Sequence, residues 1–173
     1  GVLSYQSGDS LYVLVEDADR NLSTTSSDTL SVYLTSSKES TEEVLVLNET
    51  GSNSGIFSGY MLFDATGSVA SDGKLQVDRG SELTVRYRDP ADDFGNATNH
   101  TANSFYGMTV INGGSLAGST TWNPAGSPYL LTGDVTIDQS DTLVIEAGTE
   151  VRFIPIKDDL SSGEDANRIE LRI

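Results

Sequence analysis

The sequence predicts an all-β protein in two parts, and three observations carry that prediction. Helix signals are nearly absent: Ser, Thr, Gly, Asp and Asn punctuate short runs of Val, Leu, Ile and Tyr, which is the texture of strands and turns. About seven such runs recur at a spacing of roughly 10–15 residues, as in a β-sandwich. In the last third, the apolar pairs Val135/Ile137, Leu143/Ile145 and Val151/Phe153 repeat at intervals of 8 residues. Three short strands at this interval suit one triangular coil of a parallel β-helix, at about 24 residues per coil.

The predicted strands of the first part are 11–16, 29–35, 43–48, 55–64, 74–78, 82–88 and 104–111. A strand buries every second residue. That alternation marks Leu11, Val13 and Val15, then Leu30, Val32 and Leu34, then Leu83, Val85 and Tyr87 as core. Tyr12, Leu14 and Tyr33 fall on the opposite faces, which are less polar than open water favours, so a neighbouring domain is expected to cover them. The sandwich is read over 1–112. A glycine-rich stretch, 113–118, reads as a linker, and 119–173 reads as the cap and first coil of the β-helix. Ile169, Leu171 and Ile173 begin a second coil after a polar insertion at 157–168. A solenoid coil cannot bury its apolar face alone. The expectation is therefore that the parent protein continues past Ile173, or that this end docks onto something else.

Composition narrows the function. Apolar residues make up 36% of the chain, enough for a core, so it reads as folded despite its charge. With 10 basic and 26 acidic side chains the net charge is −16, which repels nucleic acid and anionic membranes and suits divalent cations. No cysteine is present, so there is neither disulfide nor thiol chemistry. This combination fits an exported prokaryotic protein in which metal ions act as staples. No apolar run approaches the length of a membrane span. Gly1 in place of Met is expected of a processed or excised chain.

Three segments carry a resemblance. Val15-Glu-Asp-Ala-Asp-Arg-Asn-Leu22, Glu49-Thr-Gly-Ser-Asn-Ser-Gly-Ile-Phe-Ser-Gly59 and Gly80-Ser-Glu-Leu-Thr-Val-Arg-Tyr-Arg-Asp89 resemble an immunoglobulin-like repeat of large prokaryotic surface and S-layer-type proteins. Trp122-Asn-Pro-Ala-Gly-Ser-Pro-Tyr129, running on through Val135 to Phe153, is similar to the N-terminal cap of a right-handed parallel β-helix domain. Domains of that kind occur in secreted polysaccharide-active enzymes, adhesins and surface proteins. The resemblance implies an extracellular or cell-surface location.

Candidate chemistry is acidic. Asp17, Asp19 and Asn21 place oxygen side chains at i, i+2 and i+4, a spacing that can wrap a hard cation. An EF-hand loop is excluded, because Leu22 stands where the sharp turn needs Gly and Asp28 where a longer Glu belongs. Asp89, Asp92 and Asp93 form a second cluster, and a sandwich can bring the two loops to one end. Five carboxylates that close repel strongly, and Ca2+ would relieve them. Asp and Asn are also good turn residues in their own right. A third cluster, Asp158, Asp159, Glu164 and Asp165, reads as a solvated loop.

Catalysis is not expected. Gly8-Asp-Ser-Leu11 resembles the signature block of a lipase and esterase family, but that family needs a later Asp-x-x-His, and Ala97 precedes the only histidine, His100. No His/Cys set suits zinc. Trp122 and Tyr129 read as plugs of the β-helix cap. The expected function is a calcium-stabilised structural or adhesive module of an extracellular surface protein. Expected partners are neighbouring domains or identical subunits, with surface polysaccharide as a further candidate. The rivals are a filament or surface-layer subunit joined through its open β-edge, and an accessory domain of a polysaccharide-active β-helix enzyme.

Overall fold

The computed structural model describes residues 2–67, 69–92, 94–154 and 158–173. These residues are all-β, with no α-helix and one 3-10 turn at Ala18–Arg20. The chain divides into two compact units, 1–106 and 107–173.

The first unit holds β1 (Ser4–Tyr5), β2 (Ser10–Glu16), β3 (Thr29–Ser36), β4 (Glu43–Glu49), β5 (Ile56–Asp64), β6 (Lys74–Gln76), β7 (Glu82–Asp89) and β8 (Thr98–Tyr106). They form one hydrogen-bonded sheet in the order β1-β8-β7-β3-β4-β5-β2, with β6 beside β5. The link between β4 and β5 is narrow, covering only Asn48↔Ser58 and Glu49↔Phe57. Alternate residues of the sheet converge on a core that includes Leu11, Leu30, Val32, Leu34, Leu47 and Phe57. Leu83 and Tyr87 are buried as the alternation predicts, and Val13, Val15 and Val85 pack against the core from its margin. Tyr12 and Leu14 stand exposed at 72% and 61%. Tyr33 is instead covered by its own unit: Arg86 and Arg88 lie over its ring, and Glu42 pairs with both guanidinium groups.

The strand predicted at 104–111 is two strands. β8 ends at Tyr106 in the first unit, and β9 (Thr109–Ile111) begins the second. The front of β8, Thr98–Asn103, escaped the sequence reading because it is polar and mostly exposed, so hydrophobicity does not alternate along it.

The second unit continues with β10 (Gly114–Leu116), β11 (Thr120–Trp122), β12 (Tyr129–Leu131), β13 (Val135–Ile137), β14 (Leu143–Ile145), β15 (Val151–Phe153) and β16 (Leu171–Arg172). All of its ladders are parallel: β9-β12-β15, β10-β13-β16 and β11-β14. Partners include Gly114↔Val135, Thr120↔Leu143 and Tyr129↔Val151, advances of 21 to 23 residues; Thr109↔Tyr129 advances 20, and Val135↔Leu171, across the insertion, advances 36. The stretch 113–118, expected to be a linker, contains β10. Gly113 has φ +85, and a Cβ there would lie 2.7 Å from the Gly133 backbone. Gly113 therefore serves close backbone stacking. The core of this unit is Trp122, Tyr129, Leu131 and Val135, flanked by Leu143, Val151 and Leu171.

Residue 157, at the start of the predicted insertion, lies outside the described residues. Asp158 is buried, contrary to the solvated loop expected: its carboxylate accepts from Leu160 N at 3.0 Å and Ser162 N at 2.7 Å. Asp134, also buried, accepts from Glu170 N at 2.7 Å and Ser162 Oγ at 2.8 Å, tying the insertion to the strand that follows.

Glu39 and Glu43 are buried together in the first unit. Glu43 accepts from Asp72 N and Gly73 N. Glu39 Oε2 accepts from Gln76 N at 3.0 Å, and its buried Oε1 accepts no hydrogen bond from the described residues. Burial pushes the Glu39 carboxyl up; the Gln76 N–H opposes this and the Glu43 charge adds to it. A carboxyl raised on folding contributes stability below its unfolded value, about 4.3, and loses it as pH rises through the folded value. Glu39→Gln is therefore expected to raise the melting temperature at neutral pH and to give no gain below about pH 4. Paired melts at the two pH values check this.

Candidate functional site

The two acidic loops predicted from sequence do come to one place. Asp17 and Asp19 follow β2, Asp89 ends β7 and Asp92 follows it; all four line a cleft of about 510 Å3 in the first unit. Val13, Leu14 and Val15 of β2 form one wall. His100, Thr101 and Ala102 of β8 form the other, with Val85 and Tyr87 between them. Asn21 does not line the cleft: its amide donates to Asn53 Oδ1 at 2.7 Å. Asp93 lies outside the described residues.

Local chemistry explains why each acid sits where it does. Asp17 caps the 3-10 turn, its Oδ1 accepting from Asp19 N and Arg20 N at 3.0 and 3.2 Å. Its Oδ2 accepts the Tyr87 hydroxyl at 2.5 Å, which ties the end of β2 to β7. Burial, and then this carboxylate, hold the Tyr87 phenol well above its usual range. Asp89 Oδ1 accepts from Ala91 N, and its Oδ2 lies 3.9 Å from His100 Nε2. Asp92 Oδ1 accepts from Asn96 N at 2.8 Å and Phe94 N at 2.9 Å, bonds that keep its carboxyl below the usual range. The bonds of Asp17, Asp89 and Asp92 are thus those of turn-forming side chains.

Convergence falls short of a formed metal centre. Among the described residues, no group of three or more Asp, Glu or His is placed to hold a metal ion. Asp19 and one oxygen each of Asp89 and Asp92 have no described hydrogen bond. Both oxygens of Asp17 are committed.

Sequence reasoning passed over Glu49, which organises the loop beside this end. It is buried, and it accepts from Ser54 N at 2.6 Å, Gly55 N at 2.8 Å and Asp28 N at 3.1 Å. Burial opposes its charge, but these donors outweigh it and lower the carboxyl's pKa. Gly55, at φ +63, lets its carbonyl accept Asp17 N at 2.8 Å; a Cβ there would meet Ala18 Cα at 3.2 Å. The Glu-Thr-Gly-Ser-Asn-Ser-Gly motif is thus a self-capped turn whose last glycine anchors the Asp17 loop. The visible signal was the motif itself; what it lacked was the identity of its long-range partner.

No protein-family model and no curated protein matches this chain.

Proposed function

We propose that the chain is a structural or adhesive module of an extracellular surface protein: an immunoglobulin-like sandwich followed by the cap and first coils of a parallel β-helix. The observation that carries this reading is the set of three parallel ladders, whose partners advance by 20 to 23 residues except across the insertion, since stacked coils make extended scaffolds. The narrow β4–β5 link favours a two-layer sandwich, as it nearly divides the first sheet into two. The acidic cleft is built from turn-capping carboxylates, with no nucleophile–base pair among its described lining residues, which favours binding over catalysis.

In this reading calcium rigidifies the acidic end, drawing in the uncommitted oxygens of Asp19, Asp89 and Asp92. The test is a melt in calcium, in chelator, and in chelator with calcium restored. Saturation at a hundred times the dissociation constant adds about 2.7 kcal/mol, a reversible rise on the order of 10 °C. An unchanged melt would reduce the four acids to turn residues. Activity of the chain on acidic polysaccharides would overturn the structural role itself.

A second reading, a filament or surface-layer subunit, is favoured by one feature. Strands β14, β15 and β16 end their ladders, and Val144, Ile145 and Phe153 are about half exposed there. Such an edge can add a strand from a neighbouring copy. Sedimentation at rising concentration separates the readings: growing species support the filament, and a persistent monomer supports the module.

A further inference from the structure

The cleft also separates two sheet edges. The path β8-β7-β3-β4-β5-β2 is antiparallel at every step, so β2 runs opposite to β8, and the two face each other across the cleft. β1 pairs with β8 at Phe105 and Tyr106, and Val2 and Leu3 before it accept from Ser104 Oγ at 2.8 and 3.0 Å. In an antiparallel pair, alternate residues turn their N–H and C=O away from the partner. Asp17 N bonds Gly55 O, which assigns the odd residues of β2 to β5 and turns Leu14 and Glu16 toward the cleft. Tyr106 N bonds Ser81 O, which assigns the even residues of β8 to β7 and turns Asn99 and Thr101 toward the cleft. Among the described residues, these four have no described backbone partner on that side.

We propose that this seam accepts an extended segment of another polypeptide, and that the segment's N-terminal end carries Lys or Arg. β1 sets the direction. It runs parallel to β8, with Phe105 N bonded to Leu3 O at 2.9 Å. A segment in line with it, alongside Thr98 to Ala102, is parallel to β8 and antiparallel to β2, and so adds a ladder on each side. Five residues span about 16 Å at strand rise. Val13, Val15 and Val85 offer apolar contact to its inward side chains. In this direction its N-terminal end lies at the start of β8, where Asp17, Asp19, Asp89 and Asp92 are gathered. The charge that favours a basic end disfavours a second copy of this chain, whose net charge is −16. The proposal does not rest on calcium; strand and cation would compete for the same carboxylates.

The test uses the whole chain in chelator and three acetylated peptides dye-labelled at the C-terminus. One reads Lys-Lys-Val-Thr-Val-Thr-Val, one is its reverse, and one has Glu in place of both Lys. Fluorescence anisotropy is expected to show the first binding about tenfold or more tightly than the others, with the preference shrinking in high salt. Thr101→Pro removes an N–H that faces the seam, and edge strands tolerate proline. It is expected to abolish binding with little change in melting temperature. Equal affinity for the three peptides, or no binding at all, overturns the proposal. So does undiminished binding by a folded Thr101→Pro variant. The peptide comparison on the unaltered chain stands even if that variant does not fold.

Discussion

Phe57→Ala is expected to be the most damaging single truncation in the first unit, costing about 3–5 kcal/mol. Phe57 is fully buried on β5. It is half of the Glu49↔Phe57 pair that closes the narrow β4–β5 link. Removing the ring opens a cavity that the surrounding strands can only partly refill. For a unit near 100 residues the loss lowers the melting temperature by at least about 12 °C. Thermal unfolding followed by circular dichroism reads this directly. Phe57→Leu, which keeps most of the volume, should recover much of the loss.

Trp122→Ala is expected to do comparable harm in the second unit. Trp122 is 2% exposed and stacks on Tyr129, with centroids 5.0 Å apart and planes 16° apart. Truncation costs about 3–5 kcal/mol for the cavity, and the lost aromatic pair adds about 0.5–1.5 kcal/mol. A net stability of roughly 5–15 kcal/mol is usual for a whole domain, and this unit spans only 107–173. The expected result is loss of protection in β11 and β14, read by hydrogen exchange of peptides covering those strands. Trp122 is also the only tryptophan, so its fluorescence in the native chain reports the melting of this unit alone. Trp122→Phe should keep the protection that Trp122→Ala loses.

Legibility in the sequence followed from physics in both units. Strands with one buried face were read to within a residue or two at most ends, because burial imposes a period of two on Leu30, Val32 and Leu34 and on their counterparts. β13, β14 and β15 were read from their 8-residue interval alone. The preceding turn, β10 to β12, was not, because β10 is Gly-Ser-Leu and carries no apolar pair. Gly113, just before it, permits backbone stacking against Gly133, and glycine in such a role looks like a linker. The polar front of β8 was invisible for a related reason: a free edge needs backbone groups, and side chains such as Asn99 and Thr101 need not be apolar.

The acidic site divides in the same way. That Asp17, Asp19, Asp89 and Asp92 share one end of the unit was legible as a possibility of sandwich topology. What no local pattern could supply was the link that brings the loops together, the Tyr87 hydroxyl on Asp17. Nor could it supply the turn bonds that commit Asp17 Oδ1 and Asp92 Oδ1. Tyr87 was read as a core residue; its ring is one, and its hydroxyl is also a tether. Glu39, Glu43 and Glu49 were passed over because charged residues are seldom fully buried, and backbone donors, distant in sequence for Glu39 and Glu43 and mostly local for Glu49, make their burial tolerable.

The stacked parallel register of the second unit is the central claim, and spin labels test it most directly. The native chain has no cysteine, so the double variant Thr121→Cys/Val144→Cys takes two labels and no others. These positions are exposed register partners on β11 and β14, about 4.8 Å apart at the usual strand spacing. The account predicts strong dipolar broadening in the doubly labelled protein, absent from either single variant. A double-label spectrum equal to the sum of the two singles would contradict it, and with it the scaffold reading of this chain.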